Sequence, residues 1–203
     1  MKKSYKIIFL GNTSVGKTML IYRYISDGFT MPEPTIGIDF FSNTLDVNGQ
    51  QVRLQLWDTA GQERYKSIIT PYIRDSFLGI IVYAINDRES FKQLKYWIET
   101  YQSKNNKNVR ILIVANKRDL RTTSGETSVG EENLVSDEEG REFAEKVNAK
   151  FCTSSALEKK DILDLSEEIK NEIAADLESN PEIEDDTDAL NLLQAKHTNK
   201  WCC

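Results

Sequence analysis

The sequence has no apolar run long enough to cross a bilayer. The longest, Phe77 to Ile85, falls far below the roughly 18 residues of a membrane helix. Cysteine is scarce, three in 203 residues with two of them at the very end, so no disulfide framework is present and a reducing compartment suits the chain. Basic excess is missing as well: the formal net charge of −6 argues against a nucleic-acid binder, which normally presents a basic face. Histidine occurs once, as His197 in the acidic tail, so no chemistry is expected of it. There is no internal repeat. The opening MKKSYKIIFLG has an apolar stretch of only Ile7 to Leu10, too short for the h-region of a secretion signal, and the expected location is the cytosol. What remains is 39% hydrophobic and 29% charged, the balance of a soluble globular chain long enough for one domain and a tail.

Short apolar runs, Tyr5–Leu10, Leu78–Ile85, Arg110–Ala115 and Lys150–Thr153, alternate with longer amphipathic stretches, Lys17–Ser26, Phe91–Ser103, Asp137–Val147 and Asp161–Glu178. That alternation predicts a parallel sheet covered by helices. Asp39–Val47 and Gln51–Asp58 flank Asn48-Gly49, a two-residue hairpin signal, so one antiparallel pair is expected. In the second of these strands Val52, Leu54 and Leu56 alternate with Arg53, Gln55 and Trp57, which predicts one buried face. Ser136 and Glu139 make a capping box, and a further short helix is expected after Gln62. The fold class is α/β, a mixed six-stranded, mostly parallel sheet with one antiparallel hairpin strand and helices on both faces. The stretch at about 122–134 is polar and reads as structureless. Beyond Glu178 the chain turns acidic through Glu182, Glu184, Asp185, Asp186 and Asp188, a composition expected to stay disordered. The expected organisation is a folded unit over 1–178 and a tail over 179–203.

Gly11-Asn-Thr-Ser-Val-Gly-Lys-Thr18 follows the first strand and opens the first helix, the context in which this pattern cradles phosphates. Its glycines allow backbone angles that turn successive N–H groups inward, and the helix N-terminus adds positive potential. Thr13, Ser14, Val15 and Gly16 are the expected phosphate-binding positions. Lys17 reaches the β- and γ-phosphates, and the Thr18 hydroxyl ligates Mg²⁺. Chance would produce such a pattern in roughly one chain in a hundred of this length, too rarely to prefer a ligand-free turn.

Asn116-Lys-Arg-Asp119 follows the buried run ILIVA, at the carboxyl end of a strand where doubly wound sheets bind ligands. Asp119 can accept hydrogen bonds from guanine N1–H and its exocyclic amine. Adenine has no such donor pair and would leave the carboxylate unsatisfied. Sites built on a substrate N–H reject analogues lacking it by about 10⁴-fold or more. Asn116 would tie this loop to the phosphate loop, the Lys117 stem would cover the base, and Ser155-Ala156 would supply an N–H to guanine O6.

Thr35-Ile36-Gly37 precedes the hairpin, and Asp58-Thr59-Ala60-Gly61-Gln62 ends it. Magnesium takes hard oxygen ligands in an octahedron, which the Thr18 and Thr35 hydroxyls, phosphate oxygens and waters would satisfy, with Asp58 holding a water. Gly61 would present its N–H to the γ-phosphate, and Gln62 would orient the attacking water. Contacts of Thr35 and Gly61 vanish when that phosphate leaves, so both loops should relax on hydrolysis.

In this order the elements resemble the Ras superfamily. Ile36-Gly-Ile-Asp-Phe40, Arg53-Leu-Gln-Leu-Trp57, Arg64-Tyr-Lys-Ser-Ile68 and Ile81-Val-Tyr83 are similar to the Rab family of membrane-traffic GTPases, with Tyr72-Ile-Arg-Asp-Ser76 most like its Golgi-associated subfamily. The resemblance implies a GTP/GDP-cycling switch with Mg²⁺ as cofactor. It also implies exchange factors, GTPase-activating proteins, a dissociation inhibitor, a prenylation escort and effectors as partners. Phe29 should stand edge-on near the base, and Cys202 and Cys203 should carry geranylgeranyl chains that hold a monomeric core on endomembranes. The ending is not a CaaX box, because Lys200 occupies the fourth place from the end.

The chain departs from that family at four places. The first switch is one residue short between Phe29 and Thr35, with Pro32 where a tyrosine is customary. Leu157 replaces the lysine of the Ser-Ala-Lys motif beside the base, Ala84 replaces an aspartate, and the stretch at 122–134 has no counterpart. The first two motivate an alternative reading, a GTP-binding scaffold with little hydrolysis. A P-loop kinase or ATPase is disfavoured by Asn116–Asp119. Tyr96, Trp97 and Tyr101 fall at helical spacing and read as packing residues. Cys152 reads as a small core residue, and Arg64 and Arg74 as surface arginines rather than arginine fingers.

Overall fold

The computed structural model describes residues 2–26, 33–62, 66–105, 109–121 and 134–180. In chain order these form β1 (Ser4–Leu10), α1 (Lys17–Ile25), β2 (Ile38–Val47), β3 (Gln50–Thr59), α2 (Lys66–Ile73), β4 (Leu78–Ala84), α3 (Arg88–Lys92), α4 (Leu94–Lys104), β5 (Arg110–Asn116), α5 (Asp137–Lys146), β6 (Lys150–Thr153) and α6 (Lys159–Ser179). The strands make one six-stranded sheet in the order β2-β3-β1-β4-β5-β6. Only β2 and β3 are antiparallel. Their turn has Asn48 and Gly49 at φ 53° and 84°, the doubly positive pair that a twisted two-residue hairpin requires.

The alternation of side chains along the strands builds two cores. Tyr5, Ile7 and Phe9 of β1 join Leu54, Leu56, Ile80 and Val114 under α1 and α6, which contribute Leu20, Ile21, Leu165, Ile169 and Ile173. Ile8 and Leu10 face the other way, with Ile81, Tyr83 and Ile113, under α2, α4 and α5. All seven residues of β4 are buried, as a strand covered by helices on both faces must be.

One expectation needs correction. The stretch Phe91–Ser103 is not one helix but two, α3 and α4, broken at Gln93. The first begins earlier because Asp87 caps it, accepting hydrogen bonds from the backbone N–H groups of Glu89 and Ser90. The capping box at Ser136 and Glu139 is formed in both directions. Residues 122–133, where an insertion is expected, residues 27–32 and 63–65, which fall in the two expected mobile loops, and the tail from 181 lie outside the described residues.

Helix α6 runs the height of the sheet, 21 residues or about 30 Å at 1.5 Å per residue. Near its start the buried Asp161 pairs with Arg118, with Arg118 Nε donating to Asp161 Oδ2 at 2.9 Å. Near its end Asp176 accepts from Lys3 Nζ at 2.9 Å, from Tyr5 Oη at 3.0 Å and from Arg110 at 3.3 Å.

Candidate nucleotide site

The loop 11–16 leaves the carboxyl end of β1, where the chain crosses to one side of the sheet before β4 returns on the other. Gly16 has φ 97°, and a Cβ there would stand 2.3 Å from Asn116 Nδ2, so no side chain fits. The Asn116 amide itself donates to the Val15 carbonyl at 2.7 Å, tying the two loops as the sequence led us to expect. Asn116 can do so because it continues the face of β5 that carries Leu112 and Val114 toward α1.

Lys17 is buried and donates to the carbonyls of Gly11 and Asn12 at 2.9 and 2.8 Å. Burial pushes its pKa down to about 8, with the charge of Asp58 opposing the shift. The hydroxyls of Thr18 and Thr35 lie 2.8 Å apart, and both are bonded to Asp58 Oδ2, at 2.5 and 2.8 Å. Burial raises the Asp58 pKa, while the two threonines and Lys17 hold the rise in check. Asp58 Oδ1 is buried and has no hydrogen-bond partner among the described residues. Two hydroxyls converging on a buried carboxylate with an unused oxygen are a hard-oxygen donor set, and these residues fit a magnesium ion.

Gly61 packs against the phosphate loop: a Cβ there would stand 2.1 Å from the Asn12 carbonyl carbon and 2.2 Å from the Thr13 nitrogen. The Ala60 N–H donates to the Gly37 carbonyl at 2.9 Å, which links the two switches. Together these residues bound a cleft of about 340 Å³, lined by Thr13, Ser14, Gly16, Lys17, Thr18, Thr35, Gly61, Gln62 and Lys117 among others.

The base-reading residues form a second group beyond Lys117, which adopts the left-handed conformation at φ 65° and turns the chain into a short 3₁₀ segment, Arg118–Leu120. Asp119 accepts from the hydroxyl of the buried Ser155, whose oxygen in turn accepts the Leu157 N–H at 3.1 Å. Leu157 is 53% exposed. Val15 is buried, Ala156 half-buried, and Phe29, Cys202 and Cys203 lie outside the described residues.

Three contributors carried no readable signal in the sequence. The Trp97 indole donates to Asn12 Oδ1 at 2.9 Å, joining α4 to the phosphate loop across 85 positions. Arg23 Nε donates to the Ala156 carbonyl at 3.0 Å, anchoring the base loop on α1. Asp161 holds Arg118 from α6. All three depend on tertiary proximity, and only the helical spacing that marked Trp97 for the core was visible. Cys152 has its pKa pushed up to about 12 by burial, the state of an inert core thiol. Arg74 lines a larger cleft, about 730 Å³, at the opposite end of the sheet, away from the phosphate loop.

A sheet of this topology, with a phosphate loop, paired switch threonines and a guanine-type base loop at its carboxyl edge, defines a P-loop guanine-nucleotide switch. The sequence model of the Ras family matches residues 6–175, and the chain belongs to that family of small GTPases. Its members bind GTP and GDP, typically with Mg²⁺, and act with exchange factors and GTPase-activating proteins.

Proposed function

We propose that the chain is a Rab-type GTP/GDP switch of vesicle traffic that hydrolyses GTP slowly with Gln62 positioning the water. The observation that carries the hydrolytic part is the joining of Thr35 to Thr18 and Asp58 in one hydrogen-bonded cluster, with Gly61 and Gln62 on the same cleft. Backbone donors from Thr13 to Gly16 and the Lys17 ammonium hold the β- and γ-phosphates, and Asp119, Ser155 and Ala156 read guanine. Phe29, Asn116, Lys117 and Leu157 complete the base pocket. A magnesium ion held by Thr18 and Thr35, with Asp58 acting through water, neutralises phosphate charge when bound. No arginine of the described residues faces this cleft, so intrinsic turnover is expected on the order of 10⁻⁴ s⁻¹.

The Rab part rests on the motifs around the hairpin and on what the fold does with them. Phe40, Trp57 and Tyr72 stack in a row with ring centroids 4.9 and 5.4 Å apart. Phe40 and Tyr72 are exposed, as are Ile36 and Ile68. An aromatic face of this kind beside the switches suits effectors that read the GTP form. Cys202 and Cys203 are read as geranylgeranylated, because two lipid chains anchor stably where one does not. The location proposed is the cytosol and the cytoplasmic face of endomembranes, the Golgi among them.

Support for hydrolysis over the scaffold reading, with binding but no useful turnover, comes from the approach of Thr35 to within 2.8 Å of Thr18 despite the short first switch. Single-turnover incubation of the GTP-loaded chain tests the choice. Phosphate release at the slow intrinsic rate is expected; a bound GTP that persists unchanged for days overturns the hydrolytic reading in favour of the scaffold. For the anchor, a Cys202→Ser, Cys203→Ser pair should leave the chain in the soluble fraction, and retention on membranes removes the lipid reading.

A further inference from the structure

The cleft of about 730 Å³ opens where the amino ends of β1, β4 and β5 meet the last turns of α4 and α6. Among the described residues its wall carries Lys3, Lys6, Arg74, Lys104 and Arg110 against two carboxylates, Asp75 and Asp176, on a chain whose formal net charge is −6. Two of these cations are committed: Lys3 and Arg110 both pair with Asp176, and Arg110 also with Glu172. The other three are not paired with a carboxylate among the described residues, although the Lys6 ammonium lies 5.3 Å over the Trp57 ring. Lys6 donates to the carbonyl of Arg74 at 2.7 Å, and neither Arg74 nor Lys104 has a carboxylate partner among the described residues. Asp75 is the carboxylate whose charge reaches Lys6.

We propose that the acidic segment following α6, Glu182 to Asp188, docks in cis on this cleft against Lys6, Arg74 and Lys104. The exit of the chain places it there. Asp176 forms part of the cleft wall, and Asn180, the last described residue, donates its N–H to the Asp176 carbonyl at 2.9 Å. The segment therefore starts one turn from the cleft. The eight residue steps from Asn180 to Asp188 span at most about 29 Å when extended, enough to bring Glu182, Glu184, Asp185, Asp186 and Asp188 over it. Exposed ion pairs are individually weak. Tethering makes the difference, because a short linker presents the segment at an effective concentration of about millimolar, which the same segment on a second copy reaches only in millimolar protein. Screening should undo the docking, since charges farther apart than about 10 Å no longer interact at 0.1 M salt. The docked segment would cover cations that an acidic partner must otherwise claim, so partner and tail compete for one surface.

A spin label decides the matter. The full GDP-bound chain carries a nitroxide at Ala189→Cys with Cys152→Ser, Cys202→Ser and Cys203→Ser, and amide signals are followed by NMR. Broadening at Lys6, Arg74 and Lys104 is expected at 50 mM NaCl. It should fade at 500 mM NaCl, and it should also fade when the five acidic residues become Gln or Asn, or when Arg74→Glu is combined with Lys104→Glu. Equal broadening at Asn48 and Gly49, at the same end of the sheet but beside Asp46 and Glu167, would mean undirected sampling and overturn the proposal. Broadening that survives the charge changes overturns it as well. Broadening that disappears when the chain is diluted twentyfold would assign the contact to a second copy and defeat docking in cis.

Discussion

The two halves of the nucleotide cleft are built differently. The base-reading half is held by side-chain bonds to the rest of the fold: Asn116 to Val15, Arg118 to Asp161, Ser155 to Asp119, and Arg23 to Ala156. The switch half is held by the cluster of Thr18, Thr35 and Asp58, by one backbone bond from Ala60 to Gly37, and by the close approach of Gly61 to the phosphate loop. The Thr18 and Thr35 hydroxyls in that cluster are the ones a magnesium ion would claim, with Asp58 acting through water. The base half is thus tied to α1, α6 and the phosphate loop by bonds that mostly spare its ligand-binding atoms, Asp119 excepted, whereas the switch half is fastened mainly through the hydroxyls that would hold its metal. Such a division lets a single phosphate group control one loop pair while leaving guanine recognition intact.

Breaking the base half should cost most. Asp119→Ala removes the acceptor for two guanine donors, and GDP affinity is expected to fall by about 10⁴-fold, read by titration with a fluorescent nucleotide. Breaking the switch half should leave affinity alone: Gln62→Leu is expected to slow single-turnover hydrolysis on the order of 10²-fold with GDP binding unchanged. A loss of affinity in that variant would erase the distinction drawn between the halves. Third, Arg118→Leu strips the buried Asp161 of its partner. The half-exposed arginine moderates the penalty, to about 2 kcal/mol in urea unfolding, and GDP release should quicken while Arg118→Lys recovers part of both. Fourth, Trp97→Phe keeps the ring and removes the donor to Asn12. About 1 kcal/mol is expected to be lost, with faster nucleotide release and no change in hydrolysis of bound GTP.

The smallest effect concerns pH and lies at the other end of the sheet. Burial alone would raise the Asp176 carboxyl, but hydrogen bonds from Lys3 and Tyr5 and the charges of Lys3 and Arg110 outweigh it and hold the pKa below the ordinary carboxylate value. A depressed carboxyl contributes stability that is complete above its unfolded pKa and lost as pH falls through the folded one. Asp58, raised by burial, acts with the opposite sign. The readout is therefore a difference: the chain should exceed Asp176→Asn in urea midpoint at neutral pH, by about 1 kcal/mol or less, and the gap should close below about pH 4.

Much of this was legible in the sequence because local chemistry dictates it. Gly11–Thr18 lies where β1 meets α1, the strand–loop–helix context its pattern calls for, and Asn48-Gly49 forms the doubly positive turn of the hairpin. The alternation of Val52, Leu54 and Leu56 matched the buried face of β3. The break at Gln93 was missed because Asp87 caps α3 ahead of any apolar periodicity. Trp97 was placed in the core correctly, yet its bond to Asn12 could not be read, since periodicity says which face a residue takes and nothing about which loop that face meets.

Helix α6 is pinned at both ends, by Asp161 beside the base loop and by Asp176 beside the point where the chain leaves the fold. Mechanically these two fastenings are in series. A load on the chain beyond Asn180 would meet the three hydrogen bonds at Asp176, and the pairs of Glu172 with Arg110 and Lys150 one turn earlier, before it reached Asp161. In that sense the helix end is built as a strain relief for the base loop.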